Sequence, residues 1–182
     1  EDASNVCSLA TTYTDANGNS GPAAQTANYE VETQAPTVNS ITMGDTALKD
    51  GETATLTIVF SELVAGFASD DDVTCGSGTL AAMTNSGATW TGTFTPTDGV
   101  DSATNTCTVA TSYTDVAGND GTAGTSNNYD VDTENPTVSS IGLGDTDVVT
   151  GDTPTLTIVF SSAVSGFVSA DDVTCENGAL ST

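Results

Sequence analysis

The sequence predicts an all-β fold: small β-sandwiches in tandem, about seven strands to each repeat of 100 residues. Three observations predict it. First, the chain matches itself at a spacing of 100 residues without a gap. Leu56-Thr57-Ile58-Val59-Phe60-Ser61 returns as Leu156-Thr157-Ile158-Val159-Phe160-Ser161, and Asp71-Asp72-Val73-Thr74-Cys75 as Asp171-Asp172-Val173-Thr174-Cys175. Tyr13-Thr14-Asp15 returns as Tyr113-Thr114-Asp115. Second, short runs alternate Thr with apolar residues at the period of two that a half-buried strand requires. Third, Gly, Asn and Asp punctuate those runs, and no stretch carries a helical period.

The repeat boundary falls at the prolines. Ala35-Pro36 and Asn135-Pro136 each follow an acidic, strand-like segment, and a residue before proline is held extended. One complete repeat is therefore expected at 35–134, the C-terminal part of a preceding repeat at 1–34, and the N-terminal half of a following one at 135–182. A chain that starts at Glu1 without a leader-like stretch reads as a mature or excised piece. Divided mid-repeat, it is expected to be a window on a longer array or an assembly subunit.

Within 35–134 the elements follow in order. Pro36–Met43 reads as the first strand. Thr53–Phe60 is the clearest, with Leu56, Ile58 and Phe60 on one face and Thr53, Thr55 and Thr57 on the other. Asp71–Gly76 is a third and Thr79–Met83 a weaker fourth. Thr89–Phe94 turns Trp90 and Phe94 inward and Thr89, Thr91 and Thr93 outward. Asn105–Tyr113 places Cys107, Val109, Thr111 and Tyr113 on one face, and Asn127–Thr133 closes the set. Seven short strands in 100 residues is the count of an immunoglobulin-like sandwich.

Charge narrows the function. One Lys or Arg stands against 25 Asp plus Glu, with no His, for a formal net charge of −24. Nucleic acid is excluded as a partner, since phosphate binding needs cations. Docking on anionic membranes is disfavoured for the same reason. Every His-based triad or His-ligated metal site is excluded. No apolar run reaches the roughly 18 residues of a membrane span, so membrane insertion is not expected.

Four cysteines stand at 7, 75, 107 and 175. Cys75 and Cys107 fall on strands that neighbour each other in one sheet, so they can pair. Such a bridge would add about 3–4 kcal/mol on the chain-entropy model and implies an oxidising compartment. Cys7 and Cys175 are the corresponding halves of the adjoining repeats and can pair with each other. Four reduced, buried thiols are the alternative; a zinc site is disfavoured because no CxxC spacing occurs.

The segments Thr55–Phe67 (TLTIVFSELVAGF), Asp70–Cys75, Tyr113–Asn119 (YTDVAGN) and Tyr129–Val138 (YDVDTENPTV) resemble the bacterial Ig-like tandem repeats of giant surface adhesins, of the repeat-in-toxin and biofilm-associated types. The resemblance covers the whole chain. It implies an extracellular extender that holds a binding tip away from the cell, with Ca²⁺ at the domain junctions stiffening the array. The chain departs from that pattern in its cysteine pairs.

The residues point independently toward Ca²⁺, which takes six to eight hard oxygens. If Cys75 faces Cys107 across antiparallel strands, Asp71 faces Thr111. Asp70, Asp71 and Asp72 then lie beside the loop carrying Asp115, Asn119 and Asp120. The linker acids Glu30 and Glu32 arrive at the same pole. The next junction repeats the set with Asp130, Asp132, Glu134, Asp171 and Asp172. Its loop ligands would be equivalents of Asp115 and Asn119; Asp15 and Asn19 hold those positions on the tail fragment. A solvated acidic surface is the alternative, since Asp and Asn in loops are commonly turn formers.

Other constellations are weaker. Outward Thr rows suit the wet face of a sheet by β propensity alone, although a flat ice- or carbohydrate-contacting face is conceivable. The Gly118–Gly124 loop lacks the Lys and the following helix of a phosphate cradle. Asp71 and Asp72 are paired carboxylates without a pocket, so no enzyme activity is expected. The function expected is a structural extender or stalk repeat of a large secreted or cell-surface bacterial adhesin, whose partners are neighbouring repeats of the same protein. The alternative is a self-assembling extracellular filament or sheath subunit, completed by strand exchange between copies.

Overall fold

The computed structural model describes residues 2–180. Glu1, Ser181 and Thr182, at the outer ends of the expected segments 1–34 and 135–182, lie outside the described residues. The chain divides into two compact units, one ending at Thr133 and the other beginning at Glu134.

The first unit opens with four short strands. β1 (Asp2–Asn5) pairs antiparallel with β4 (Tyr29–Val31), and β2 (Ser8–Leu9) with β3 (Ala24–Gln25). The complete repeat follows. Its larger sheet is built on β7 (Ala54–Phe60), flanked by β5 (Val38–Met43) and β12 (Thr89–Pro96). β10 (Gly78–Leu80) and β11 (Thr84–Ser86) each pair with β12. The opposing layer is made of three small ladders. β17 (Tyr129–Asp132) pairs antiparallel with β13 (Asp101–Asn105) and parallel with β6 (Ala47–Lys49). β14 (Cys107–Val109) lies between β9 (Val73–Cys75) and β16 (Gly124–Thr125). β15 (Thr114–Asp115) pairs with β8 (Val64–Ala65).

One core joins the two layers. The alternation read from Thr53–Phe60 is realised: Leu56, Ile58 and Phe60 are buried, while Thr53 and Thr55 are exposed. Phe94 is buried beside them, and Trp90 is half-buried with its ring edge-on to Phe67 at 4.8 Å. Val109, Tyr113, Tyr129 and Val131 come from the other layer. Phe60 meets Tyr113 at 4.9 Å and Phe94 meets Tyr129 at 5.3 Å between ring centroids. Each such aliphatic or aromatic side chain stabilises by about 1.5–3 kcal/mol when fully buried. Tyr129 reaches further: its hydroxyl donates to the Gly76 carbonyl at 2.5 Å, which satisfies the polar tip inside the core.

Three expected strands differ from those observed. Asp71–Gly76 begins later, because Ser69–Asp72 form a single helical turn, α1. The Asp72 carboxylate accepts the Ala68 N–H at 2.7 Å and closes that turn. The Cys75–Cys107, Thr74–Thr108 and Val73–Val109 register is the one expected, but it stops there, so Asp71 does not face Thr111 across a ladder. Asn105–Tyr113 splits: β14 ends at Val109, Thr111 is exposed, and the chain turns Tyr113 into the core. Thr79–Met83 is replaced by β10 and β11, two short hairpin partners of β12.

In the second unit β18 (Val138–Leu143) pairs with β19 (Leu156–Phe160) in the same register as β5 with β7. The turn α2 (Ser169–Asp172) repeats α1, with Asp172 accepting the Val168 N–H at 2.7 Å. Residues 147–149, 164–165 and 173–175, the counterparts of β6, β8 and β9, form no strand. In the complete repeat those three stretches are strands by pairing with β17, β15 and β14 from the C-terminal half.

Candidate functional site

Tyr113 fixes the loop that carries the expected ligands. Its ring is buried and its hydroxyl donates to the Thr122 carbonyl at 2.7 Å, with Gly121 against the ring face where a side chain would collide. The loop between is held by Asp115. One carboxylate oxygen accepts the backbone N–H groups of Gly118 at 2.6 Å and Asn119 at 2.8 Å; the other accepts the Asn119 side-chain amide at 2.7 Å. Gly118 adopts φ +96°, a left-handed conformation that glycine takes without a steric penalty. The Asn119 amide, backed by these N–H groups, holds the Asp115 carboxyl below the usual carboxylate range, although burial works the other way. The tail fragment repeats the device: Asp15 accepts the Asn17 and Asn19 N–H groups and the Asn19 amide, and its carboxyl is lowered for the same first reason.

Beside this loop lies an open, acidic cleft of about 570 Å³, lined by Glu30, Glu32, Glu62, Asp115, Val116 and Ala117. The Asn119 amide also donates to the Glu32 carbonyl at 3.4 Å, tying the linker to the loop. The fold thus brings Glu30, Glu32 and Asp115 together with Asn119 beside them. Asp70 and Asp71 are exposed on α1 and are not among the cleft's lining residues. Asp72 is buried and occupied otherwise: it accepts the Ala68 N–H and the Ser112 hydroxyl. Asp130 and Asp132 project outward from β17, exposed. Glu134, Asp171 and Asp172 belong to the second unit, where Asp172 closes α2.

Glu62 joins the cleft without having been expected there. It follows the Phe60-Ser61 end of β7, and its counterpart at position 162 is Ser, so the repeat gave no signal for it. Four of the lining residues are carboxylates, a class of hard oxygen that suits Ca²⁺. Among the described residues, however, no three Asp, Glu or Cys side chains stand together as a ready metal cage.

The cysteines divide as follows. Cys75 and Cys107 are joined in a disulfide across β9 and β14, closing a span of 32 residues. Cys7, exposed, and Cys175, half-buried, are free thiols. No helix among the described residues is long and apolar enough to cross a membrane.

A family model described as bacterial Ig-like domain matches residues 32–131 and, again, 132–182. No curated protein and no solved structure matches the chain. Two adjacent matches covering most of the sequence agree with the observed sandwich and with the internal repeat, and the chain belongs to the bacterial Ig-like domain family.

Proposed function

We propose that the chain is an extender segment of a large secreted or cell-surface bacterial adhesin, its repeats stiffened by a disulfide within the sandwich and by Ca²⁺ at the junctions. The observation that carries the reading is the acidic cleft where the linker enters the complete repeat. A cation there would bind Glu30 and Glu32 of the linker together with Glu62 and the loop of Asp115, and so fix the linker to the domain. Asp115 supports this role from behind. Its own carboxylate is committed to the loop, whose Val116 and Ala117 line the cleft. The acidic residues that line the cleft repel one another, and a bound cation would relieve that repulsion. A serial sandwich of this kind needs no catalytic group, and its work is to hold length and direction outside the cell.

The test is a thermal melt of the non-reduced chain in millimolar Ca²⁺ against excess chelator, repeated on a Glu30→Gln/Glu32→Gln variant. At ten times the dissociation constant, binding to the native state alone adds about 1.4 kcal/mol. The reading expects a clear upward shift that the variant loses. Equal melting with Ca²⁺ and chelator would refute junctional calcium and leave the acids as a solvated surface.

A further inference from the structure

We propose that the Cys75–Cys107 disulfide is a modification site for small thiols of the glutathione class that tension uncovers: shut in the folded repeat, and open to exchange once load has pulled the repeat apart. The inference takes only the load from the extender reading, and it does not depend on calcium.

The first observation is where the bond lies along the chain. The chain enters the complete repeat at residue 35 and leaves it at 134, and it continues on both sides. β5 is the first ladder strand met from one side and β17 the last from the other. Cys75 and Cys107 stand between them, 32 residues apart and joined directly through their sulfurs. Once load has stripped β5 and β17, the stretches before Cys75 and after Cys107 draw out, and the force between them crosses the sulfur bridge. Residues 76–106 stay slack behind it. The bridge therefore carries the tension and also withholds length: 32 residues, about 11 nm at roughly 3.5 Å each.

The second observation is how the folded repeat shields the bond. Cys107 belongs to the buried core and has no exposed surface, so an incoming thiolate does not reach its sulfur. Cys75, on β9, is half-buried, and attack there expels Cys107 as the leaving group. That thiolate would be an unpaired charge in an apolar core, which is strongly disfavoured. A leaving group that resists forming its thiolate slows the exchange. The Tyr129 hydroxyl lies 3.9 Å from the Cys107 sulfur, but it donates its hydrogen to the Gly76 carbonyl at 2.5 Å and has none to offer. Unfolding removes both barriers, since either sulfur then meets solvent.

The reaction balances with thiols alone. One thiolate attacks a sulfur of the bridge, the bond between the cysteines breaks, and the other cysteine leaves as a thiolate that takes a proton from water. The product carries a mixed disulfide on one cysteine and a free thiol on the other. A second thiol removes the cap by the same exchange and departs with it as the oxidised dimer, so two thiols supply the two electrons that reduce the bridge. When load falls, Cys75 and Cys107 return to directly opposed positions on β9 and β14, where an oxidised thiol closes the bridge again. A cap left on Cys107 has no room in the core and holds the repeat unfolded until it is removed.

The experiment uses the whole 182-residue chain with Cys7→Ser and Cys175→Ser, so that only the bridge reacts. Single molecules are held at constant force with and without reduced glutathione. The unpulled chain is incubated in the same glutathione, folded or in denaturing urea, and loss of the bridge is read by alkylation and mass spectrometry. Two steps are expected from the complete repeat under force: its unfolding, then a separate gain of about 11 nm whose rate rises with glutathione and which is absent without it. A Cys75→Ala/Cys107→Ala variant releases the whole length in its first step. Without force, the folded chain keeps its bridge at least about a hundredfold longer than the chain in urea, because a native domain is unfolded roughly 10⁻³ of the time or less and local openings add to that. Equal loss of the bridge from folded and urea-unfolded chains overturns the proposal. So does a first step in glutathione that already contains the extra length, or a second step that ignores the thiol. Both arms give these answers whether or not the melt in Ca²⁺ and chelator upholds the extender reading.

Discussion

Removing the Cys75–Cys107 disulfide is the perturbation whose size follows most directly from the fold. The bridge closes a span of 32 residues. On the chain-entropy model that constraint withdraws about 12 cal/mol/K from the unfolded ensemble, or about 3.7 kcal/mol at 25 °C. A domain of about 100 residues shifts its melting temperature by roughly 4–8 °C for each kcal/mol, so the loss corresponds to about 15–30 °C. Sandwich packing around the bridge is otherwise intact: Cys107 is buried between Val109 and Asn105, and the ladder of β9 with β14 does not depend on the sulfurs. The assay is a calorimetric melt of the native chain, the chain in excess reductant, and a Cys75→Ala/Cys107→Ala variant, all with Cys7 and Cys175 blocked or replaced. The reduced chain and the variant should melt together, far below the oxidised chain. If the three melt within about 3 °C of one another, the bridge does not constrain the unfolded chain and this account of the repeat's stability is wrong.

Three further outcomes follow from single residues. Gly121→Ala places a methyl group into the Tyr113 ring and should cost about 1–3 kcal/mol, read as a fall on the order of 1 M in the urea midpoint. The Asp115 carboxyl sits below its ordinary value of 3.8 because the folded loop donates hydrogen bonds to its charged form, so its contribution is present above pH 4 and is lost as pH falls further. An Asp115→Asn variant should therefore be less stable than the native chain at pH 7 and show a shallower acid limb in a pH series of melts. Burial pushes the Tyr129 hydroxyl from 10.0 up to about 12, so its neutral form is the one the fold accepts. That stability is complete below pH 10 and declines as pH rises toward 12; Tyr129→Phe should lose part of this alkaline slope, checked by near-ultraviolet absorbance and circular dichroism.

The sandwich was legible wherever a strand's own pattern reports its surroundings. Ala54–Phe60 alternates because one face meets the core and the other meets water, and that asymmetry is written residue by residue. The Cys75–Cys107 register was legible for a related reason: two cysteines at fixed positions in a repeat mark points of close approach. The strands β6, β8, β15 and β16 were not legible, since two or three residues hold no period and become strands only through a distant partner. The second unit makes that dependence plain, with near-identical sequence at 164–165 and 173–175 and no strand there.

The acidic clusters were legible in part. Glu30, Glu32 and Asp115 do reach one cleft. Yet a carboxylate on paper looks the same whether it faces solvent or backbone N–H groups. Asp72 and Asp115 turn inward because each closes a local turn, Asp72 onto Ala68 and Asp115 onto Gly118 and Asn119. The spacing Asp-x-x-Gly-Asn, repeated at 15–19 and 115–119, was the available signal for the second of these, because only the glycine's left-handed backbone lets the loop fold back onto the carboxylate.

The extender reading is tested most directly by pulling single molecules of the chain from end to end in Ca²⁺, in chelator and in reductant. The account predicts one discrete unfolding event for the complete repeat, at higher force in Ca²⁺ than in chelator. It also predicts a gain of about 11 nm in released length under reductant, because the 32 residues held by the bridge then extend at roughly 3.5 Å each. A featureless extension, with the same length and force under all three conditions, would contradict it.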